Sequence, residues 1–410
     1  MKRTRESLEE TLENLPDGWE SYTNALKDLD ADQRAVAIAH LCQQLGVTEN
    51  QVKKSRLSLQ SLPSFSSAKW AEVAPQLGFP PNVKDLRLER FAPPMCLLPP
   101  SMHKAMFKEG WRMMDVYQER TEQDRQAARV KLLEPWLVPV IGLFEGRVID
   151  LPEAAMVASK YSSGGVVEHE VIVVGNAMFF VIELKLNVER KDDLAQLFLE
   201  LLSAAEANKR NNYTGLRVYG LLTDLISFYP YSYDPVQNAF FKDDKLIANI
   251  TRELFCSDMI HVANKIFSIL MYGYIKSLEA TVALSKARSE KQDLSDKGSS
   301  LIQQMTNSPS IMPPTSRVAL QKKPACPSLT AWEHGLALAK KAQEMFSNGV
   351  STGSIEALEG TATSALKILA QRQVVRCPSV EPATLEDLAD DALQAWYKRH
   401  LATLGDSELE

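Results

Sequence analysis

Residues Val171 to Lys185 read VIVVGNAMFFVIELK, two apolar runs around Gly175-Asn176, the second ending in Glu183-Leu184-Lys185. An acid and a lysine two residues apart on a strand share one face, because strand side chains alternate sides. Charged side chains are seldom kept in a core without a partner or a task. If Gly175 and Asn176 are the central residues of a tight hairpin turn, Val174 pairs with Ala177 and the register follows residue by residue. Glu168 then falls opposite Glu183, Glu170 opposite Val181 and Lys185 opposite Val166. Three acids, Glu168, Glu170 and Glu183, and one lysine, Lys185, converge on one face.

Packed carboxylates repel, and each favours its neutral form unless a cation lies among them. A hard divalent ion, Mg²⁺ or Mn²⁺, held by two acids and completed by waters relieves the repulsion. A lysine beside it orients, or helps to deprotonate, an attacking water, which is chemistry suited to phosphodiester hydrolysis. The competing reading is an ordinary amphipathic hairpin, with Glu168, Glu170 and Lys185 solvated and Glu183 and Lys185 simply paired with neighbours. Cross-strand ion pairs of that kind are common and weak.

The elements that must position these residues begin with a helical lead-in, Leu132 to Phe144, and strands near Val148 and Met156 to Tyr161. The Glu168 to Lys185 hairpin follows, then a helix from about Asp192 to Asn208 with Leu194, Leu197, Phe198, Leu201, Leu202 and Ala205 along one buried stripe. Strands at Leu216 to Leu222 and Ile226 to Tyr231 complete a sheet, and a long helix from Thr251 to about Lys286 supports it. Before this α/β part, Ala35 to Leu45 and Gln51 to Leu62 are amphipathic helix candidates, the prolines between Phe79 and Pro100 predict a connecting segment, and a charged helix spans Ser101 to Glu134. After it, Ser289 to Pro327 has the Ser, Gln, Lys and Pro content of a linker, and helices are expected at Ala331 to Phe346, Ile355 to Val375 and Leu385 to Leu404. The expected division is a helical N-terminal region, 1–120, an α/β domain, 121–288, a flexible linker, 289–328, and a helical C-terminal region, 329–410.

The stretch GVVEHEVIVVGNAMFFVIELKLN, with the helix after it and LRVYGLLTDLISFYPYSYDP, resembles the PD-(D/E)XK nuclease superfamily over roughly residues 130–250. Glu183-Leu184-Lys185 matches the (D/E)XK element, which in that superfamily lies on the third strand of a small mixed sheet, after an acid on the preceding strand and before a helix and further strands. The resemblance implies an α/β fold with a restriction-endonuclease-like core, a small mixed β-sheet flanked by helices, and helical N- and C-terminal regions outside it. It implies metal-dependent cleavage of DNA, with RNA as the second choice. The same family occurs in fungal proteins and in Crinkler-type effectors, and no Crinkler header precedes this domain.

Where the family has Pro-Asp, this chain has Val167-Glu168-His169-Glu170, so Glu170 or Glu168 stands in for the aspartate with a carboxylate displaced by about 1.5 Å. Glu168, Glu170 and Glu183 are the implied metal ligands, and Glu170, Glu183 and Lys185 the implied catalytic set. An acid from the first helix, common in the family, would be Glu134 or Glu145. Gln196 matches a glutamine that some members carry after the motif, but its angle away from the leucine stripe predicts exposure. His169 points to the opposite face and is expected to be packed or exposed. The alternative function is a degenerate nuclease fold that binds nucleic acid or protein without cutting it, since one scaffold serves many roles.

Composition bounds the rest. A chain of 410 residues is long enough for two or three domains, and its net charge of −6 argues against a nucleic-acid coat over the whole surface. Any phosphate contact must be local, from residues such as Lys160, Arg190, Lys191, Lys209, Arg210 or Arg217, with Phe228, Tyr229, Tyr231 and Tyr233 as candidate stacking surfaces. The five cysteines, Cys42, Cys96, Cys256, Cys326 and Cys377, form no CxxC pair and suit a reducing compartment. No segment is expected to span a membrane, Phe267 to Tyr274 being the most apolar, and no secretory signal opens the chain. The expected setting is intracellular, nucleus or cytoplasm, with nucleic acid as partner, no membrane, and protein partners for the helical terminal regions.

Overall fold

The computed structural model describes residues 62–173, 177–188, 191–303, 328–349 and 354–371, without the side chains of 290–303. The chain divides into two units, Met1–Leu62 and Pro63–Glu410, and every described element belongs to the second. The helices expected before residue 62 and after residue 384, and the Gly175-Asn176 turn, lie outside the described residues.

An apolar run of β-branched and aromatic residues is buried on both faces only inside a sheet. All eight residues of β4 (Ala177–Leu184) are buried. It pairs antiparallel with β3 (Gly165–Val173), which pairs antiparallel with β2 (Val148–Met156). On its other side β4 pairs parallel with β5 (Val218–Thr223), and the crossover between them is a helix, Lys191–Arg210, as a parallel connection requires. Strands β6 (Ser227–Asp234) and β7 (Ala239–Lys242) extend the sheet, a two-residue β1 (Glu89–Arg90) closes it, and β8 (Leu246–Ile247) pairs with β6. The result is a mixed eight-stranded sheet in the order β1-β7-β6-β5-β4-β3-β2, flanked by helices.

Six further helices accompany the crossover, and in chain order they are α1 (Trp70–Gln76), α2 (Pro100–Tyr117), α3 (Gln126–Gly142), α4 (the crossover), α5 (Arg252–Gln303), α6 (Leu329–Asn348) and α7 (Ile355–Leu369). One face of the sheet packs on α4 and α1 through Val181, Leu197, Phe198 and Trp70; the other packs on α2, α3 and α5 through Phe180, Ile182, Trp136 and Phe267. Helices α6 and α7 join the second core through Trp332, Phe346 and Leu369.

Several sequence expectations change here. The single helix expected over 101–134 breaks after Tyr117, where Gln118 takes a left-handed φ of 66°, and resumes at Gln126. The segment expected as a connection between Phe79 and Pro100 supplies β1, and residues 65–79 lie against α4, so part of the N-terminal region is built into the sheet domain. Helix α5 runs to Gln303, well past the expected start of the linker. Its Arg252–Ser289 part is long and apolar enough by composition to cross a membrane, against the sequence expectation, and 72% of its most apolar window is buried within the protein.

The hairpin register also differs locally. Next to the turn Val173 pairs with Ala177 and Ile172 with Met178, one residue away from a two-residue turn. A bulge then inserts Phe179, and Val171 pairs with Phe180, Glu170 with Val181 and His169 with Ile182, the register expected for the acids. Phe179 is fully buried and lies on Gly273 of α5, where an added Cβ would overlap its ring. Gly273→Ala should therefore destabilise the protein by about 1–3 kcal/mol despite alanine's better helix propensity, because a packed site has no room for the methyl group. Chemical denaturation of both forms measures this.

Candidate active site at the end of β4

The pairing of His169 with Ile182 is the last in the β3–β4 ladder, and Glu168 and Glu183 are the next residues beyond it, close enough for the Glu168 charge to act on Glu183. Glu183 is only 2% exposed, on the α4 face of the sheet. Its Oε1 lies 2.6 Å from Lys185 Nζ and accepts from Gln196 Nε2 at 2.8 Å. Gln196 is oriented by its neighbours: Nε2 also donates to Glu200 Oε1 at 2.8 Å, and its own Oε1 accepts from Lys185 Nζ at 2.8 Å. The amide thereby joins one lysine and two acids, each at a hydrogen-bonding distance typical of a charge-assisted contact.

Gln196 was expected to be exposed and is buried. The sheet covers a wider face of α4 than the leucine stripe marks: the Gln196 amide lies against the end of β4, bonded to Glu183 and Lys185, while residues 65–79 pack on α4 at Asp192 and Phe198. Glu200, fully buried one turn further along, is a site residue that the sequence reading missed. Its signal was present: an acid within LAQLFLELLSAA is the same anomaly that marks Glu183 in VIELK.

Electrostatics follow from this enclosure. Burial pushes the Glu183 carboxyl above its usual range, with Glu168 adding to the rise and Lys185 opposing it. Glu200 is pushed well above the usual range, first by burial and then by Glu183 beside it. Each of the two keeps one oxygen, Oε2, with no donor among the described residues. Two adjacent carboxylates in this position need a proton or a cation between them.

The sequence-predicted acids arrive as follows. Glu170 is buried on the same face, and burial alone raises its carboxyl, with no charge or hydrogen bond of a described neighbour acting on it. Glu168, half-buried, accepts from Gln126 Nε2 at 2.5 Å. Glu134 is instead paired with Lys131 at 2.6 Å, and Glu145 sits in the turn before β2 with a φ of 48°; the α3 side chain that reaches the cluster is Gln126. His169 is buried on the opposite face, with Nδ1 2.8 Å from Asp150 Oδ2.

The candidate phosphate contacts largely have other roles. Arg217 is held between the rings of Phe91 and Phe241 and paired with Asp234 at 2.7 Å, and Lys160 lies over Tyr161. Arg210 pairs with Glu206, and Arg190 lies outside the described residues. Phe228 is fully buried, and Tyr231 packs edge-on against Phe198, so these rings belong to the core.

Among the described residues no group of three or more His, Cys, Asp or Glu side chains is arranged to hold a metal ion. Two acids with waters is a different demand: Glu170 and Glu183 share one face and offer hard oxygen, and Glu183 Oε2 lacks a donor among the described residues. Oxygen donors of this kind are the ones that Mg²⁺ or Mn²⁺ takes. Comparison with known proteins found no matching family model, curated protein or solved structure.

A raised acid pKa makes the folded protein bind more protons than the unfolded chain between the ordinary carboxyl value and the folded one. Stability from Glu200 is thus full at acid pH and declines as pH rises through that window. Glu200→Gln keeps the acceptor for Gln196 and offers a permanent N–H to Glu183. Thermal melts from pH 5 to 8 should show the variant gaining on wild type as pH rises, by a few degrees in Tm at the upper end.

Proposed function

We propose that this chain is a metal-dependent nuclease of the PD-(D/E)XK type, hydrolysing phosphodiester bonds in DNA in preference to RNA. The observation that carries the reading is the meeting of Glu170, Glu183 and Lys185 on one buried face at the end of β4, with Gln196 bonded to both Glu183 and Lys185. The element order supports it: helix α3, the antiparallel β2-β3-β4, helix α4 and then β5 parallel to β4 is the arrangement that a restriction-endonuclease-like core requires.

Glu170 and Glu183 would hold Mg²⁺ or Mn²⁺, with Glu168 at the open side of the cluster. The bound ion supplies Lewis-acid polarisation of the phosphodiester and a water of lowered pKa. Lys185 is the chain's own cation at the site; Gln196 and Glu183 fix its ammonium, which leaves it to orient a water or a phosphate oxygen. Gln196 also keeps Glu183 and Glu200 apart from bulk water by filling their acceptor positions with a neutral donor.

A degenerate, binding-only form of the same fold is the second reading, favoured by the 2.6 Å Lys185–Glu183 pair that closes the site on itself and by glutamate in the aspartate position. Cleavage of plasmid and single-stranded DNA with Mg²⁺ or Mn²⁺ separates the two. Wild type should cut, EDTA should abolish cutting, and Lys185→Ala should lower the rate by about 100-fold or more. Millimolar Mn²⁺ should also raise the Tm of wild type and not of Glu183→Gln, since an ion that binds only the folded state stabilises it. Cutting that survives in Lys185→Ala overturns the mechanism; no cutting and no Tm shift leave the binding-only reading.

A further inference from the structure

The β3–β4 ladder ends at the His169–Ile182 pair, which leaves a gap in the ladder where the carbonyls at the end of β4 have no β3 partner. A carbonyl left this way needs a donor from elsewhere. Gln126, the first residue of α3, donates from Nε2 to Leu184 O at 2.6 Å as well as to Glu168 Oε1 at 2.5 Å. A single amide thus spans the gap, with one bond to β4 and one to the acid on β3.

Two residues further on, Leu186 O receives both Arg129 Nη1 and Arg120 Nη2, the latter at 3.3 Å. Arg129 is buried and anchored by Nε and Nη2 to Gln123 O at 3.0 and 2.8 Å. Arg120 is anchored by Nε to Asp224 O at 2.8 Å and paired with Asp224 Oδ2 at 3.4 Å. Asp224 in turn caps the β5–β6 turn, accepting from Ile226 and Ser227 N–H at 3.0 and 2.8 Å. On the β5 side Lys185 N donates to Thr223 O at 2.8 Å.

The residue between the two captured carbonyls is Lys185. We propose that Gln126, Arg120 and Arg129 are positioning residues, a strut built at the break between α2 and α3 that ties down the unpaired end of β4 and sets where Lys185 and Glu168 stand. The inference rests on the hydrolytic reading of the site. Two neighbouring guanidiniums, Arg129 buried and Arg120 partly buried, beside one carboxylate are an unfavourable arrangement for stability alone, since like charges oppose one another and Asp224 neutralises only one. Their donors are directed to main-chain oxygens of the segment that carries the lysine, a directed use that planar, multidentate arginine suits.

Two readouts test it. The first is steady-state cleavage of a fluorogenic oligonucleotide by wild type, Gln126→Leu, Arg129→Met and Arg129→Lys. Gln126→Leu, of similar volume and without the bonds, should lose about 30- to 100-fold in kcat with KM within about threefold, as a misplaced catalytic group does. Arg129→Met should fall likewise, and Arg129→Lys, which can still donate to Leu186 O, should recover most of the loss. The second is the resonance of Lys185 in protein reductively methylated with ¹³C-formaldehyde, assigned by its disappearance in Lys185→Arg. It should move in Gln126→Leu and Arg129→Met and stay near the wild-type position in Arg129→Lys.

Wild-type kcat in Gln126→Leu, or an unmoved Lys185 resonance, overturns the strut. If the wild-type chain does not cleave DNA at all, the hydrolytic reading fails, and the resonance alone still decides whether these three residues place Lys185. Gln126 is half-buried and at a helix end, so its variant retains the core should Arg129→Met not fold.

Discussion

Placing a carboxylate out of reach of water costs several kcal/mol unless opposite charge and hydrogen bonds meet it inside. Glu183 is placed so, at the end of a central strand with every residue of that strand buried. Lys185 and Gln196 occupy its Oε1, and Gln196 must in turn be held, by Glu200 on the next turn of α4 and by Lys185. The lysine stands where it does because the backbone on either side of it is tied to α3, to the α2–α3 connection and to β5. A demand that begins with one side chain thus reaches two helices, the connection between α2 and α3, and two strands.

This chain of dependence explains why the sheet is built as it is near the site. The parallel β4–β5 pair needs a crossover, and α4 supplies it while presenting Gln196 and Glu200 to the sheet. A parallel strand buried on both faces gives Glu183 no route to solvent except past the end of the strand, where its pairing with β3 has ended. The end of the β3–β4 ladder leaves main-chain carbonyls without partners, and side chains from the opposite layer take the place of a ladder. Polar groups that would be costly alone satisfy one another across the layers.

The bulge at Phe179 shows how a local irregularity preserves the register that matters. The pairing of Val173, not Val174, with Ala177 shifts the register by one, which by itself would send every later side chain to the wrong face. The inserted residue restores the alternation before Glu170 and Glu183 are reached, and its buried ring is accommodated by the absence of a side chain at Gly273 on α5. The acids therefore owe their shared face to a glycine nearly a hundred residues away.

Local pattern determined a good part of this protein. The apolar runs on either side of Gly175-Asn176 specify a hairpin, alternation puts Glu168, Glu170, Glu183 and Lys185 on one side, and the leucine stripe specifies the helix that follows; short-range sterics and side-chain periodicity are enough for these. The expected pairing of Glu170 with Val181 is the pairing observed. What local pattern leaves open is which surface covers which. Gln196 reads as exposed until α4 is laid against the end of β4, Gln126 and the two arginines carry no signal that ties them to Leu184 and Leu186, and β1 and β7 are too short to stand out without the strands beside them. Contacts between residues from nearly sixty to more than a hundred positions apart arise from packing of whole elements, and the free energy that decides them is that of burying those elements together. The sequence alone determines the chemistry available at the end of β4; tertiary structure alone determined its surroundings, because only packing decides which donors meet a buried charge.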